Sequence, residues 1–175
     1  MDSKGPIAIV GFMGCGKTAV AKIVAAELNR EIVDLDERIT EREGRTPGEI
    51  ISKDGEPAFR SLETNVLNDV LRHAFAGIVA LGGGCWIELR NRMLLGEHKA
   101  VTIWIDTPFE VCWRRIELAE EIRPLAPTKA EARALFERRR RIYKLADIRI
   151  ENSNDESLEA LASRTKAAIE LFKTH

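Results

Sequence analysis

The chain has little that would indicate a disulfide framework, a zinc site, a membrane span or a nucleic-acid-binding surface. Its 175 residues include three cysteines, an odd number without the spacing of metal ligands, so we expect neither disulfide bonds nor zinc to organise the fold. No apolar run is long enough to cross a bilayer. The 27 basic and 28 acidic residues nearly cancel, and this balance argues against nucleic acid and anionic membranes as partners.

The remaining composition is typical of one globular domain, with 45% apolar and 31% charged residues. No internal repeat, low-complexity tract or linker divides the chain, so we expect a single domain over residues 1–175. We also expect the protein to be a monomer. Residues 1–5 carry no hydrophobic signal segment, which favours a cytoplasmic location.

A glycine-rich motif near the N-terminus carries the strongest functional signal. Residues 11–18 read GFMGCGKT, between the apolar run 7–10 and a segment 19–28 with helical periodicity. This is the G-x-x-x-x-G-K-T pattern of a phosphate-binding loop, whose backbone N–H groups and following helix N-terminus attract phosphate oxygens. The pattern predicts that Lys17 reaches the β- and γ-phosphates of a nucleotide and that the Thr18 hydroxyl binds Mg²⁺.

Residues 31–37, EIVDLDE, form a short run that ends in two aspartates spaced by two. If this run is a strand, Asp34 and Asp36 point to the same face beside the phosphate loop, where α/β folds place their ligands. We then expect Asp34 to face Mg²⁺, directly or through water, and Asp36 to face a hydroxyl that is to be phosphorylated. The alternative is a solvated loop in which both aspartates cap a helix.

Two helix starts follow, at Thr46–Glu49, which has the form of a capping box, and at Glu56–Arg60. The second helix carries an apolar stripe between Phe59 and Leu71, and Arg60 lies off that stripe. Arg60 is therefore either a surface residue or a side chain that faces an anion.

Three consecutive glycines, Gly82, Gly83 and Gly84, follow a continuous apolar run at residues 77–81, which is typical of a buried parallel strand. A tight turn needs only one or two glycines, so three indicate close approach of the backbone to some other group. A fourth strand is predicted at residues 100–105, followed by a capping box at Thr107–Glu110.

An irregular segment at Arg123–Pro127 predicts a lid. Two prolines end the preceding helix there and leave Arg123 on a flexible stretch, where an arginine could stabilise charge on a transferring phosphoryl group. A long helix capped by Thr128 follows and contains four arginines at 138–141. At about 100° per residue at most one or two of them face a given site.

A fifth strand at residues 147–150 and a final helix, with Ser153 and Glu156 as its capping box, complete the pattern. Strands and helices alternate throughout, which indicates an α/β fold with a parallel sheet.

In their order, the sequences GFMGCGKT, DLD, GEPAFR, LGGG, RPL and R-x-x-x-Y resemble the shikimate kinase family from residue 5 to about residue 152. The resemblance implies a P-loop three-layer α/β/α fold with a five-stranded parallel sheet in the order 2-3-1-4-5, similar to nucleoside monophosphate kinases. It also implies that ATP, with Mg²⁺, phosphorylates the 3-hydroxyl of shikimate. The alternative is another metabolite kinase of this architecture, such as gluconate kinase. A GTPase switch is disfavoured because neither D-x-x-G nor N-K-x-D follows Thr18.

The resemblance also implies residue roles. Asp36 would bind the shikimate hydroxyls and orient or deprotonate the nucleophile, Arg60 and Arg139 would clamp the carboxylate, and residues 82–84 would offer backbone N–H groups. The substrate-binding helices would span about residues 36–72 and the lid about 114–128. Catalysis would depend on Lys17, Asp36 and Arg123, metal binding on Thr18 and Asp34, and ATP binding on Gly14, Cys15, Gly16, Lys17, Thr18, Ala19 and Arg123.

The adenine site of the family corresponds only loosely to Arg114 or Arg115 and to residues 152–154. Trp86, directly after the glycines and Cys85, either lines the substrate pocket or packs against the core.

Overall fold

The computed structural model describes residues 5–72, 75–119, 124–153 and 156–172. Five parallel strands form one sheet in the order β2-β3-β1-β4-β5, as the family resemblance implies. The strands are β1 (Ile7–Val10), β2 (Ile32–Asp34), β3 (Ile78–Ala80), β4 (Val101–Asp106) and β5 (Ile148–Glu151).

Helices cover both faces of this sheet. All four residues of β1 are buried, and because successive side chains of a strand point to opposite faces, both faces must be covered. The helices are α1 (Lys17–Leu28), α2 (Leu35–Glu43), α3 (Pro47–Asp54), α4 (Glu56–Leu71), α5 (Leu89–Glu97), α6 (Phe109–Leu118), α7 (Lys129–Tyr143) and α8 (Leu158–Phe172). Helix α1 packs on α8, and α4 packs on α2, α3 and α5. None of the helices described here is long and apolar enough to cross a membrane.

Two of the predicted helix caps are confirmed. Thr46 and Glu49 form the reciprocal capping box of α3. Thr128 accepts a hydrogen bond from the N–H of Glu131 at the start of α7. These caps fix where α3 and α7 begin.

Two other predicted caps are wrong. Helix α6 has Pro108 at its N-cap without a side-chain cap, because the Thr107 hydroxyl is used elsewhere in the structure. Helix α8 begins later than the Ser153–Glu156 box predicts, and the side chain of Ser157 accepts a hydrogen bond from the N–H of Ala160.

The prediction that Asp34 and Asp36 point to one face of a strand is also wrong. Strand β2 ends at Asp34, and Asp36 lies in the first turn of α2. The Asp34 carboxylate caps this helix by accepting hydrogen bonds from the N–H groups of Asp36 and Glu37 at 3.0 and 3.2 Å. The abrupt change from strand to helix still leaves both carboxylates at the carboxyl edge of the sheet.

A short 3₁₀ helix at Cys85–Ile87 and the helix α5 were not predicted. They follow the glycines directly and pack Trp86 into the core, where it is 5% exposed. Its indole N–H donates to the carbonyl of Ile142 in α7 at 3.1 Å. Trp86 therefore packs between the elements around the site and does not line the pocket.

Candidate active site

The loop between β1 and α1 has a backbone that only glycine adopts readily. Gly14 and Gly16 have φ angles of 74° and 99°, in the left-handed region where a Cβ atom is strained. A Cβ atom on Gly14 would also lie 2.7 Å from the carbonyl oxygen of Cys112. Gly16 is the N-cap of α1, so the loop delivers its backbone directly to the positive end of a helix.

Lys17 and Thr18 begin α1 and lie beside Asp34. The Lys17 ammonium donates to the carbonyl of Phe12 at 2.8 Å and is largely buried. The Thr18 hydroxyl donates to Oδ2 of Asp34 at 2.5 Å. The side-chain oxygens of Thr18 and Asp34, which belong to different elements, therefore meet next to the loop. The described residues contain no cluster of three or more His, Cys, Asp or Glu that could hold a metal by itself.

A cavity of about 1000 Å³ opens over this loop. Its walls include Asp36 and Arg115 of α6, and Arg115 donates to the carbonyl of Gly14 at 3.1 Å. The predicted ATP-binding residues that line it are Gly14, Gly16, Lys17, Thr18 and Ala19. Cys15, also predicted to bind ATP, is fully buried and is not among the residues that line this cavity.

A second, smaller cavity of about 80 Å³ adjoins the first. Met13, Asp36 and Gly83 line both cavities, so a molecule in the small cavity would be next to the phosphate loop. The small cavity is lined by charged residues (Asp36, Arg60, Glu63, Arg139), by glycines 82–84 and by apolar residues that include Met13, Phe59 and Leu125. The structure thus brings together every predicted substrate-binding residue.

Arg60 faces this pocket and is not a surface residue. Its side chain is 13% exposed and is held by two carboxylates of its own helix. Nη1 donates to Glu63 at 2.7 Å, and Nε and Nη2 donate to Glu56 at 3.2 and 3.1 Å. Burial disfavours the charge of Arg60, but the two carboxylates outweigh it and raise the pKa of the guanidinium.

Glu63 is a functional candidate that the sequence analysis missed. It is completely buried, and its Oε1 atom has no hydrogen-bond partner among the described residues. Burial raises the pKa of this carboxyl to about 7, with a further contribution from the nearby Asp36, and the ion pair with Arg60 only partly opposes the rise. A sequence signal existed, because Glu63 lies four residues after Phe59 and four before Leu67, on the apolar stripe of α4.

The carboxylates of Asp36 and Glu63 meet over Gly82. Oδ1 of Asp36 and Oε1 of Glu63 would lie 2.7 and 2.9 Å from a Cβ atom on this glycine. Any larger residue at position 82 would displace both carboxylates, so the first of the three glycines is needed for space.

Arg139 enters the pocket from α7, opposite Arg60. It is 6% exposed, and burial lowers the pKa of its guanidinium. Its Nη1 atom would lie 3.5 Å from a Cβ atom on Gly83. One turn later, the Tyr143 hydroxyl donates to the carbonyl of Gly83 at 2.5 Å. The α7 helix therefore fixes both an arginine and the backbone of the glycine stretch.

Arg139 is the one member of the arginine run 138–141 that lines the small cavity. Its neighbour Arg140 turns away and donates to Asp106 at 3.1 Å. This distribution confirms the prediction that a helix presents few of four consecutive residues to one site.

Arg123, predicted as the lid arginine, lies outside the described residues, as does Asn154. Within the part of the predicted lid that the structure does describe, Pro124 and Leu125 line the small cavity. Of the loosely predicted adenine residues, Arg115 contacts the phosphate loop, whereas the buried Asn152 donates its side-chain amide to Thr107 at 2.9 Å.

Comparisons with known proteins agree with this geometry. The family model of shikimate kinase matches residues 13–170. A shikimate kinase of Cereibacter sphaeroides is 36% identical over 169 residues, which cover 95% of this chain and 83% of that protein.

Two solved structures are also similar. Shikimate kinase from Acinetobacter baumannii in complex with shikimate superposes with a TM-score of 0.88 at 31% identity, over 98% of this chain and 96% of that one. Shikimate kinase from Aquifex aeolicus has a TM-score of 0.78 at 32% identity, over 95% and 97% of the two chains. Both similarities cover nearly the whole chain.

Proposed function

The chain belongs to the shikimate kinase family, and from this premise we propose that it transfers the γ-phosphoryl group of ATP to the 3-hydroxyl of shikimate. The products are shikimate 3-phosphate and ADP. The observation that carries the proposal is the junction of the two cavities, where Asp36 lies between the phosphate loop and a pocket with two arginines. The solved relative with shikimate bound supports this substrate over gluconate.

Arg60 and Arg139 bind the carboxylate of shikimate. An anionic carbocyclic acid needs charge-assisted partners, and guanidinium groups supply them with defined geometry. Two arginines from different helices, α4 and α7, flank the same small cavity. Because the pocket is small and lined partly by Met13, Phe59 and Leu125, the ring packs on apolar side chains while its carboxylate meets the arginines.

Asp36 orients the hydroxyl that attacks ATP and accepts its proton as the new bond forms. Its carboxylate lies at the boundary of the two cavities. The backbone N–H groups of residues 82–84 add hydrogen-bond donors on the same side. Phosphoryl transfer depends mainly on positioning and neutralisation of charge, so these contacts are the main contribution of the acceptor side.

The phosphate loop and Lys17 bind the β- and γ-phosphates of ATP. In the structure the Lys17 ammonium lies against the loop and donates to Phe12, and bound phosphates would offer it stronger, charged acceptors. Arg123, outside the described residues, closes over the phosphates as part of a lid at about residues 114–128. Closure excludes water and adds positive charge.

Thr18 and Asp34 would hold a magnesium ion, directly or through water. The donor set fits this ion, because Mg²⁺ takes hard oxygen ligands and completes its shell with water and phosphate oxygens. When bound, the ion neutralises charge on the β- and γ-phosphates.

We further propose that the chain is one kinase domain that acts as a monomer in the cytoplasm, where ATP is available, without nucleic acid or membrane partners. The helices from about residue 36 to residue 72 form the shikimate side of the site. Light scattering at the protein concentration of the activity assay tests whether the protein is a monomer.

A coupled assay of ADP release tests the proposed reaction. Protein, ATP and Mg²⁺ are mixed with shikimate, with gluconate, or with no acceptor. We expect release only with shikimate. Release with gluconate alone would agree with the assignment of the phosphate site but refute shikimate as the substrate. Release without an acceptor would indicate an ATPase.

A further inference from the structure

A chain of two buried hydrogen bonds links the ends of β4 and β5 to the phosphate loop. The Thr107 hydroxyl donates to the carbonyl oxygen of Cys15 at 2.9 Å, and the side-chain amide of Asn152 donates to the Thr107 hydroxyl, also at 2.9 Å. Cys15 is fully buried, Thr107 is 2% exposed and Asn152 is 6% exposed. Three segments distant in sequence therefore meet under the loop without exposure to solvent.

The first hydrogen bond sets the direction of a peptide group in the loop. In a trans peptide the C=O and the N–H of the next residue point in opposite directions. Because Thr107 holds the Cys15 carbonyl on the buried side, the N–H of Gly16 must point away from Thr107, to the side of the large cavity that Gly16 lines. The loop alone does not fix the orientation of this peptide group. Gly16 has a φ of 99°, and glycine adopts positive φ angles about as readily as negative ones.

The second hydrogen bond fixes the direction of the hydroxyl hydrogen. A hydroxyl donates one hydrogen and can accept from other donors. Since Asn152 presents N–H to the Thr107 oxygen, the hydrogen of Thr107 remains available to the Cys15 carbonyl. The backbone N–H of Asn152 donates to the carbonyl of Asp106 at 3.0 Å, which keeps the asparagine in place at the end of β5.

We propose that Thr107 is a positioning residue for ATP, and that Asn152 supports it by orienting its hydroxyl. Through the Cys15 carbonyl, Thr107 aims the N–H of Gly16 at the nucleotide phosphates. It acts on the nucleotide through the loop and does not touch the acceptor. This inference rests on the proposed function only in that the loop binds the phosphates of ATP.

The test compares threonine variants at two positions of the same strand region. Thr107→Val keeps the shape of the side chain but removes the hydroxyl, whereas Thr107→Ser keeps the hydroxyl and removes the methyl group. Thr102→Val is the matched control, because Thr102 is equally buried at 4% exposure and its hydroxyl donates to Asp147 at 2.6 Å, at the opposite end of β4. For each variant, calorimetric titration measures the Kd of a non-hydrolysable ATP analogue with Mg²⁺ and the Kd of shikimate, and thermal unfolding measures Tm.

We expect Thr107→Val to weaken binding of the ATP analogue about tenfold and to leave the Kd of shikimate unchanged. Thr107→Ser recovers most of the affinity. Thr102→Val lowers Tm but keeps the Kd of the analogue. If Thr107→Val lowers Tm without changing that Kd, or if both valine variants weaken nucleotide binding equally, Thr107 is only structural and the proposal is refuted.

A second variant breaks the same contact without removing the hydroxyl. Asn152→Asp offers the Thr107 hydroxyl a charged acceptor, which competes with the Cys15 carbonyl for its one hydrogen. We expect the Kd of the ATP analogue to rise in this variant too, whereas an unchanged value would refute the role of Asn152. Acceptor-dependent ADP release by the unmodified protein is measured in parallel. If the unmodified protein shows no such release, the proposed function is refuted, while the binding data on the variants still decide the role of Thr107.

Discussion

The guanidinium of Arg60 lies directly on Gly84. A Cβ atom at position 84 would be 2.5 Å from Cζ and 2.6 Å from Nη1 of Arg60, which is inside van der Waals contact. Gly84 has an ordinary φ of −102°, so its backbone would accept any residue. The third glycine of the stretch is therefore required by the arginine and not by the turn.

Gly84→Ala should displace Arg60 from the pocket and raise the KM for shikimate by about tenfold or more, because a charge-assisted contact to the carboxylate is lost or misaligned. Steady-state kinetics with shikimate as the varied substrate measures this change, and the KM for ATP should stay close to its original value.

The control for this substitution is Gly96→Ala, since a Cβ atom on Gly96 would meet nothing within 4 Å. Both KM values should be unchanged in this variant. If Gly84→Ala behaves like Gly96→Ala, the close packing of Arg60 on the glycine has no role in substrate binding.

Lys17→Ala should reduce turnover by at least about 100-fold, because the lysine supplies positive charge to the phosphates in the transition state. The far-UV circular dichroism should be retained. Lys166→Ala is the control, since Lys166 is paired with Glu27 on the outside of the protein. Activity of Lys17→Ala near that of the control would contradict the assignment of the phosphate loop.

Asp36→Asn should lower kcat by about 10²- to 10⁴-fold, within the range of general acid and base catalysis. The Kd of the ATP analogue should change little, because the carboxylate acts on the acceptor hydroxyl. Rapid-quench and steady-state kinetics with both substrates separate these effects. An unchanged kcat would remove Asp36 from the chemistry.

Glu63→Gln should alter how stability depends on pH. The pKa of Glu63 is about 7 in the folded protein against an ordinary value of 4.5, so between these values the folded state keeps a proton that the unfolded state has lost. The free energy of unfolding contributed by this group therefore falls as the pH rises from about 5 to 8, by up to roughly 3 kcal/mol.

Urea unfolding at pH 5 and pH 8 measures this contribution. The unmodified protein should lose more stability over that interval than Glu63→Gln, in which position 63 does not titrate. Equal losses in the two proteins would mean that Glu63 is ionised throughout.

The strands and the phosphate loop could be predicted from the sequence because their signals are local, whereas the order of the strands came from the family resemblance. Continuous apolar runs define buried parallel strands, and the motif at residues 11–18 combines glycines, a lysine and a threonine at fixed spacing. The three glycines at 82–84 were likewise predicted to bring the backbone close to some other group. The structure adds that the first gives space to Asp36 and Glu63 and the third to Arg60.

The misassigned features are those for which the local sequence pattern is missing or misleading. Asp34 is both the last residue of β2 and the N-cap of α2, and periodicity does not mark a strand that becomes a helix at one residue. Thr107 has the local pattern of a helix cap, but its hydroxyl is taken by Cys15, 92 positions away in sequence. Glu63 is not singled out by the sequence, because burial of its carboxylate depends on Arg60 and on the glycines it packs against.

Identification of the product tests the central claim most directly. Protein, ATP, Mg²⁺ and shikimate are incubated, and ³¹P and ¹H NMR follow the phosphorus resonances and the ring proton that couples to phosphorus. We expect a phosphate monoester on the 3-hydroxyl of shikimate to form in step with ADP. Inorganic phosphate with unmodified shikimate, or an ester at another hydroxyl, would contradict the account of Asp36 as the group that selects and orients the acceptor.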